Sequence, residues 1–176
     1  MDPQDVRAFA QLSCRLMMDD APQVGDNPSL EALYMHGLSA GMIASCDLFE
    51  LADMVNCGYD RELFVMYNGD PASHATTVGW AGAETYRGEF LSRLVPETKL
   101  LPTAPGLHTR SETDGLVELA KEKGFANVGI ITVPYHWPRV MSCLVGSMAK
   151  HDYRLRCWFV RPAYVNWHQP MVGSQG

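Results

Sequence analysis

Apolar positions along the chain recur with two different periods, and the change between them marks the predicted elements. Residues 3–19 and 29–58 carry apolar side chains at helical intervals, although Gly37 and Gly41 weaken the second stretch. From residue 60 onward, short apolar runs alternate with helical patterns. Strands are predicted at 62–67, 98–103, 126–134 and 153–162, and helices at 75–95, 108–124 and 138–152.

This regular alternation of strands and helices predicts the fold class. Strands joined by helices pair in parallel through right-handed crossovers, which gives a layered α/β sandwich with a mostly parallel sheet of four to five strands. We expect one domain over residues 1–176, with a helical N-terminal extension at about 1–30 and a tail at about 163–176. In such sheets, ligands bind beyond the carboxyl ends of the strands. The loops that follow the strands are therefore the place to look for a site.

Composition narrows the classes of partner. Hydrophobic residues make up 47% of the chain, the net charge is -6 and the sequence pI is near 5.4. This acidic globular composition argues against nucleic acid or an anionic membrane as the main partner. The chain lacks a long uncharged apolar run and a secretory profile at its start, and its five cysteines are scattered without metal spacing. A cytoplasmic protein with reduced thiols is expected.

Polar side chains gather in three loops that leave predicted strands. Because parallel strands end at one rim, we expect these loops to converge there. The first loop supplies Asn68, Gly69, Asp70, Ser73 and His74; the second Thr103, His108, Thr109, Arg110, Ser111, Glu112 and Asp114; the third Tyr135, His136 and Arg139.

The third loop places a cation where a helix does not favour one. Pro138 suits the first helical position, so Arg139 falls in the first turn, at the positive end of the helix dipole. A cation there reduces stability unless an anion offsets its charge. Arg139 and Arg110 could clamp phosphate or carboxylate. His136 titrates near neutrality and is the predicted acid/base group, with Glu112 orienting it or acting as a second base. A metal held by His74, His136, Glu112 and Asp114 lacks supporting ligand spacing, and none is predicted.

Structural explanations compete with this interpretation. Thr109 and Glu112 have the spacing of a capping box, so Glu112 could serve the helix alone. His136 could be a polar residue satisfied at a strand end. Another alternative is a protein-interaction surface built from four aromatic residues: Trp137, Trp158, Tyr164 and Trp167.

Three stretches of the chain resemble the YdcF/SanA/ElyC-like domain family, over roughly residues 35 to 162. "FVMYNGDPASHATT" is similar to the family's strand, Ser-Gly-Gly turn and polar loop. Thr109, Arg110 and Glu112 match its turn with a glutamate opening a helix, and Tyr135, His136 and Arg139 match its Tyr/Phe-His-x-x-Arg motif. Where the family opens with a strand and a glycine-rich turn, this chain offers "PQVGDNPS", and the usual asparagine after the glutamate is Thr113.

The resemblance is to the soluble YdcF-type branch, and it implies a Rossmann-like fold with a polar pocket at the strand C-termini. It implies binding of an anionic or nucleotide-like small molecule, with S-adenosylmethionine or a nucleotide as candidate cofactor. Hydrolysis or group transfer on a phosphorylated or nucleotide-like substrate, with His136 as acid/base, would suit these residues. The alternative is a non-catalytic module that sequesters a ligand or binds a protein partner, with a homodimer as the candidate assembly.

Overall fold

The computed structural model describes residues 30–36, 63–71, 82–93, 95–132 and 136–160. Within these ranges the strands are β1 (Ala32–Met35), β2 (Phe64–Tyr67), β3 (Leu100–Pro102), β4 (Asn127–Ile131) and β5 (Arg156–Val160). The helices are α1 (Ala83–Thr85), which continues through a π-helical turn (Tyr86–Phe90) and a 3₁₀ turn (Leu91–Arg93), a 3₁₀ turn (Glu97–Lys99), α2 (Thr109–Lys123) and α3 (Trp137–His151). The predicted N-terminal helix and C-terminal tail lie outside the described residues.

All five strands form one parallel sheet in the order β3-β2-β1-β4-β5. This confirms the predicted Rossmann-like α/β fold. The chain runs outward from β1 to β3, crosses back through α2 to β4, and continues to β5. The order therefore reverses between β1 and β4, which is the switch point where open α/β sheets bind ligands.

The central strand β1 overturns one prediction. Residues 29–58 carry a helical pattern, yet Ala32–Met35 is a strand that pairs with β2 on one side and β4 on the other. Alanine, leucine and methionine favour helices, and none of the four residues is β-branched. Pairing on both edges and burial on both faces override this local preference. Among the described residues the first strand is thus Ala32–Met35, and the "PQVGDNPS" segment lies outside the described residues.

Side chains alternate between the two faces of the sheet, and helices cover both. Tyr34, Met66 and Ile130 face α2 and α3 and pack into a core with Leu116 and Leu144 (other members are Ala32, Val117, Ala120, Phe125, Val128, Val140 and Leu155). On the opposite face, Tyr86 of the π-helical turn donates a hydrogen bond to Met35 Sδ at 3.7 Å, and its ring lies 6.2 Å from that of Tyr67. The molecule thus has three layers, and its central strands are buried on both sides.

Helices α2 and α3 lie side by side and are tied by polar contacts. Thr113 and Ser147 hydroxyls are 3.1 Å apart, and Asp114 accepts hydrogen bonds from Ser147 at 2.7 Å and from Lys150 at 2.8 Å. Gly124 ends α2 in the left-handed conformation, as predicted. Among the described residues, no helix combines the length and the apolar character needed to cross a bilayer.

Candidate functional site

Polar residues follow β1, β2 and β4 directly and meet the start of α2 at the switch point. His36 follows β1, Asn68 follows β2, and His136 precedes α3 after the loop that leaves β4. Thr109 and Glu112 lie in the first turn of α2. The structure therefore brings together the 68, 109 and 136 loops, as expected for parallel strands that end at one rim.

The carboxylate of Glu112 is the centre of this cluster. Its Oε2 lies 2.7 Å from His36 Nδ1, and its Oε1 accepts a hydrogen bond of 2.9 Å from Asn68 Nδ2. Glu112 is 6% exposed, Asn68 4% and His36 1%. A carboxylate is rarely this buried unless its oxygens are paired, and here each oxygen has a partner from a different strand end.

Glu112 does not cap α2, which corrects the predicted capping box. The N-cap is His108, whose Nδ1 accepts from the backbone N–H of Ser111 at 3.2 Å, while Ser111 Oγ accepts from the His108 backbone at 3.2 Å. His108 and Ser111 thus form the capping box of α2, and Glu112 takes no part in it. The alternative in which Glu112 only serves the helix is wrong, and its carboxylate turns toward the sheet instead.

All the hydrogen-bonding capacity of the Asn68 side chain is satisfied by other groups of the protein. Its Nδ2 donates to Glu112 and to the carbonyl of Gly106 at 2.7 Å, and its Oδ1 accepts from the backbone N–H groups of Gly106 at 2.9 Å and Asp70 at 3.0 Å. Two donors and two acceptors exhaust an amide side chain. Asn68 therefore positions Glu112 and the 106 loop and has no hydrogen left for a ligand.

Two glycines allow this close packing. A Cβ on Gly69 would lie 2.2 Å from the carbonyl oxygen of Thr103, and one on Gly106 would lie 2.8 Å from Glu112 Cγ. Both contacts are shorter than packed atoms tolerate. Gly69, predicted as a ligand-binding residue, thus has a structural requirement in the approach of the β2 and β3 loops.

The two histidines lie against one another at the switch point. Their ring centroids are 5.5 Å apart at an interplanar angle of 77°, and His136 Nε2 lies 3.3 Å from Thr109 Oγ1. Burial lowers the pKa of His136 from 6.5 to about 4; electrostatic interactions with His36 and Arg139 lower it further and Glu112 opposes the change. His136 is therefore neutral at pH 7 and does not carry the extra proton of an imidazolium acid.

The two ring nitrogens of His36 differ in their surroundings, since Nδ1 contacts Glu112 Oε2 at 2.7 Å. Its Nε2 is buried and has no hydrogen-bond partner in the part of the chain that the structure describes. The ring of Tyr34 packs edge-on against the imidazole with centroids 5.2 Å apart. Burial, and then the charge of Glu112, raise the pKa of Tyr34 well above its ordinary value, so Tyr34 stays neutral beside the histidine.

The start of α3 supplies the electropositive part of the site. His136 is the N-cap and makes no side-chain capping bond, Pro138 is the second helical residue rather than the predicted first, and the exposed Arg139 lies in the first turn. Trp137 is buried and donates from Nε1 to the Thr132 carbonyl at 3.0 Å. The predicted aromatic surface is therefore wrong for Trp137, and Tyr164 and Trp167 lie outside the described residues.

The other predicted site residues are placed as follows. Thr103 and Asp70 are buried near the rim, and Arg110 is exposed on α2. Asp114 is turned toward α3, where Lys150 and Ser147 hold it. Ser73, His74 and Tyr135 lie outside the described residues. Over the described ranges, the histidine, cysteine and acidic side chains form no group of three that could hold a metal ion.

Sequence reasoning missed His36, whose importance depends on β1 being a strand. The available signal was the short apolar run "ALYM" closed by His36 and Gly37, a polar residue and a glycine at the point where a buried strand would end. The helical pattern over 29–58 concealed it. Once β1 is central, His36 must lie at the carboxyl edge beside the loops already predicted.

No protein-family model, curated protein or solved structure matches this chain. Its function is therefore inferred from the geometry of the site itself. The resemblance of its motifs to the YdcF/SanA/ElyC-like family stays a prediction from the sequence.

Proposed function

We propose that this protein binds a small anionic or nucleotide-like molecule at the carboxyl ends of β1, β2 and β4 and catalyses hydrolysis or group transfer at its phosphorus centre. Open parallel sheets bind ligands where the strand order reverses. Here the reversal lies between β1 and β4, and His36 and His136 follow these two strands. Membership of the soluble YdcF-type branch is part of the proposal and is supported by the Thr109, Glu112, His136 and Arg139 matches.

The anion would be held at the start of α3. This 15-residue helix directs its positive end toward the switch point, its N-cap side chain satisfies none of its N–H groups, and Arg139 adds a full charge. The start of α2 differs because the His108 side chain already accepts a hydrogen bond from the N–H of Ser111. A phosphate between Arg139 and α3 would also offset the unfavourable placement of that guanidinium.

The observation that carries the proposal is the buried carboxylate of Glu112. A charged group this deeply buried reduces stability unless it is fully paired, and α2 has no need of it. Buried ionisable groups gathered at a strand end, one of them with a perturbed pKa, mark a candidate functional site. The cluster has a carboxylate and two imidazoles beside the start of a helix that could bind an anion. Carboxylates and imidazoles are the groups that most often act in acid–base catalysis.

Ligand-induced thermal stabilisation tests the binding proposal. Inorganic phosphate, adenosine 5′-monophosphate, ribose 5-phosphate and S-adenosylmethionine would be compared on the wild-type chain and on Arg139→Ala. Arg154→Ala is the matched control, because Arg154 is exposed and precedes β5 at the opposite, amino edge of the sheet.

We expect at least one phosphate compound to stabilise the wild type and Arg154→Ala equally, and Arg139→Ala much less. At one hundred times Kd the wild-type Tm would rise by about 5 to 10 °C. Equal responses of the two arginine variants, or no response to any of the four compounds, would contradict the proposal.

A further inference from the structure

The proposed phosphoryl chemistry needs a proton acceptor, and we infer that this acceptor is Nε2 of His36, with Glu112 and Asn68 as positioning residues. The inference rests on the proposed function and deepens it. It assigns the base to a residue that follows β1, whereas the sequence motifs point to His136.

Hydrogen bonding around Glu112 determines the tautomer of His36. An ionised carboxylate only accepts, so at 2.7 Å the Nδ1 of His36 must donate its hydrogen to Glu112 Oε2. Asn68 donates to the other oxygen and prevents the carboxylate from rotating. A neutral imidazole with its hydrogen on Nδ1 carries a lone pair on Nε2, and this buried atom has no partner among the described residues. His36 is thus prepared to accept a proton at Nε2.

His136 is less suited to this task. Its Nε2 lies 3.3 Å from the Thr109 hydroxyl, and Glu112 is hydrogen-bonded to His36. A positive charge on His36 disfavours protonation of His136, whose pKa stands at about 4. Glu112 Oε2 lies 2.7 Å from His36 Nδ1, so a proton accepted at Nε2 of His36 is placed on a ring that contacts a carboxylate.

For a phosphate monoester, the proposed reaction is hydrolysis by a water molecule that His36 deprotonates. The Nε2 lone pair of His36 takes a proton from a water molecule while the water oxygen forms a bond to phosphorus. The bond from phosphorus to the ester oxygen breaks, and its electron pair stays on that oxygen. The Nε2 proton then passes to the leaving oxygen, so the products are an alcohol and inorganic phosphate, and His36 returns to its neutral form.

Nitrogen NMR of the full-length ¹⁵N-histidine-labelled protein tests the tautomer without a substrate. In the wild type at pH 7.5 we expect the Nδ1–H form of His36, identified by its absence in His36→Gln. In Glu112→Gln, the amide cannot accept from both Asn68 and Nδ1, so His36 should change to the Nε2–H form with Nδ1 accepting from the amide. Glu118→Gln is the matched control on an exposed position of α2 and should keep the wild-type tautomer.

A resting imidazolium, an Nε2–H tautomer in the wild type, or an unchanged tautomer in Glu112→Gln would each overturn the assignment. If His36→Gln fails to fold, His36 is identified by difference from His136→Asn and the remaining histidine variants. The Glu112→Gln result then decides the question.

Turnover is measured with p-nitrophenyl phosphate and bis(p-nitrophenyl) phosphate, and binding with inorganic phosphate. We expect His36→Gln to lose about 10² to 10⁴ in kcat, the usual contribution of a general base, with phosphate affinity changed less than about threefold. A loss below about tenfold, or phosphate binding without wild-type turnover of either ester, would overturn the base assignment and leave a binding site. Absence of both phosphate binding and turnover would instead overturn the proposed function, whatever the tautomer.

Discussion

Glu112 and His36 are 76 positions apart in the chain, and the fold places the carboxylate of one 2.7 Å from the imidazole of the other, with both side chains buried. The contact joins the first turn of α2 to the residue that ends the central strand. Asn68 extends it to the end of β2. A chain of three buried polar residues therefore crosses the switch point of the sheet.

Removing the Glu112 carboxylate should reduce stability strongly. Glu112→Ala leaves Asn68 Nδ2 and His36 Nδ1 buried with a hydrogen-bond acceptor lost at each, and we expect the free energy of unfolding to fall by about 3 to 5 kcal/mol. Glu118→Ala on the exposed side of α2 should change it by less than about 0.5 kcal/mol. Urea unfolding at pH 7.5 measures both. A similar small loss in the two variants would show that the buried network contributes nothing.

The depressed pKa of His136 makes stability depend on pH in a defined direction. The unfolded chain binds a proton at this imidazole below about pH 6.5, whereas the folded protein does so only near pH 4, so the unfolded state gains stability as the pH falls between these values. The wild type should lose about 2 kcal/mol from this residue between pH 7.5 and 5. The loss is complete once the pH falls below the folded pKa of about 4.

Substitution isolates the contribution of His136. His136→Asn should flatten the dependence of unfolding free energy on pH by the amount assigned to that imidazole. His108→Asn replaces an exposed histidine by another good N-cap residue, and it should keep the wild-type slope. Equal slopes in wild type and His136→Asn, measured by urea titration at four pH values, would contradict the assignment.

Gly69 should not tolerate even one added carbon. In Gly69→Ala the new methyl group would lie 2.2 Å from the Thr103 carbonyl oxygen, so the β2 and β3 loops must separate. We expect a loss of about 1 to 3 kcal/mol, the usual cost of overpacking. Gly88 has open space around its would-be Cβ, so Gly88→Ala in the helical segment should be neutral or slightly stabilising. Thermal unfolding of the two variants should therefore differ in sign or by several degrees.

Asp114 should contribute to stability through its ion pair with Lys150 and should not affect ligand binding at the switch point. Burial alone raises the pKa of Asp114, but the hydrogen bonds from Lys150 and Ser147 and the charges of Lys150 and His151 outweigh it and lower the pKa. The stabilisation is therefore complete above the unfolded carboxyl's pKa and is lost as the pH falls through the lower folded value. Because Lys150 is 58% exposed at its side chain, a double-mutant cycle should give a coupling of only about 0.5 to 1 kcal/mol.

The control for this pair is Glu122→Gln, which removes an exposed contact to the adjacent Lys123 and should change stability very little. Asp114→Asn should leave phosphate binding unaltered, because the Asp114 carboxylate is hydrogen-bonded to Ser147 and Lys150 of α3. Weaker phosphate binding in Asp114→Asn would restore its predicted role as a ligand-binding residue.

Four of the five strands and both long helices were predictable because their patterns are local. "FVMY" in β2 and "NVGII" in β4 are short apolar runs that include β-branched residues and are bounded by turns, and α2 and α3 repeat apolar residues at helical intervals. The parallel order of these elements follows from their alternation. For the same reason, the sequence alone predicts that the loops at residues 68, 109 and 136 lie close together.

The partner of Glu112 could not be predicted in this way. Its spacing from Thr109 satisfies a capping rule, and nothing local shows that His108 and Ser111 would cap α2 instead. His36 was hidden because "ALYM" has the composition of a helix and becomes a strand only between β2 and β4.

The order of elements, the α/β class and the polar character of the strand ends are properties of the sequence, since propensity and periodicity act over a few residues. The identity of the central strand and the pairing of His36 with Glu112 were decided by tertiary structure alone. Both depend on contacts between segments that are distant in the sequence. The burial and hydrogen bonding in these contacts contribute more to stability than the local conformational preference opposes.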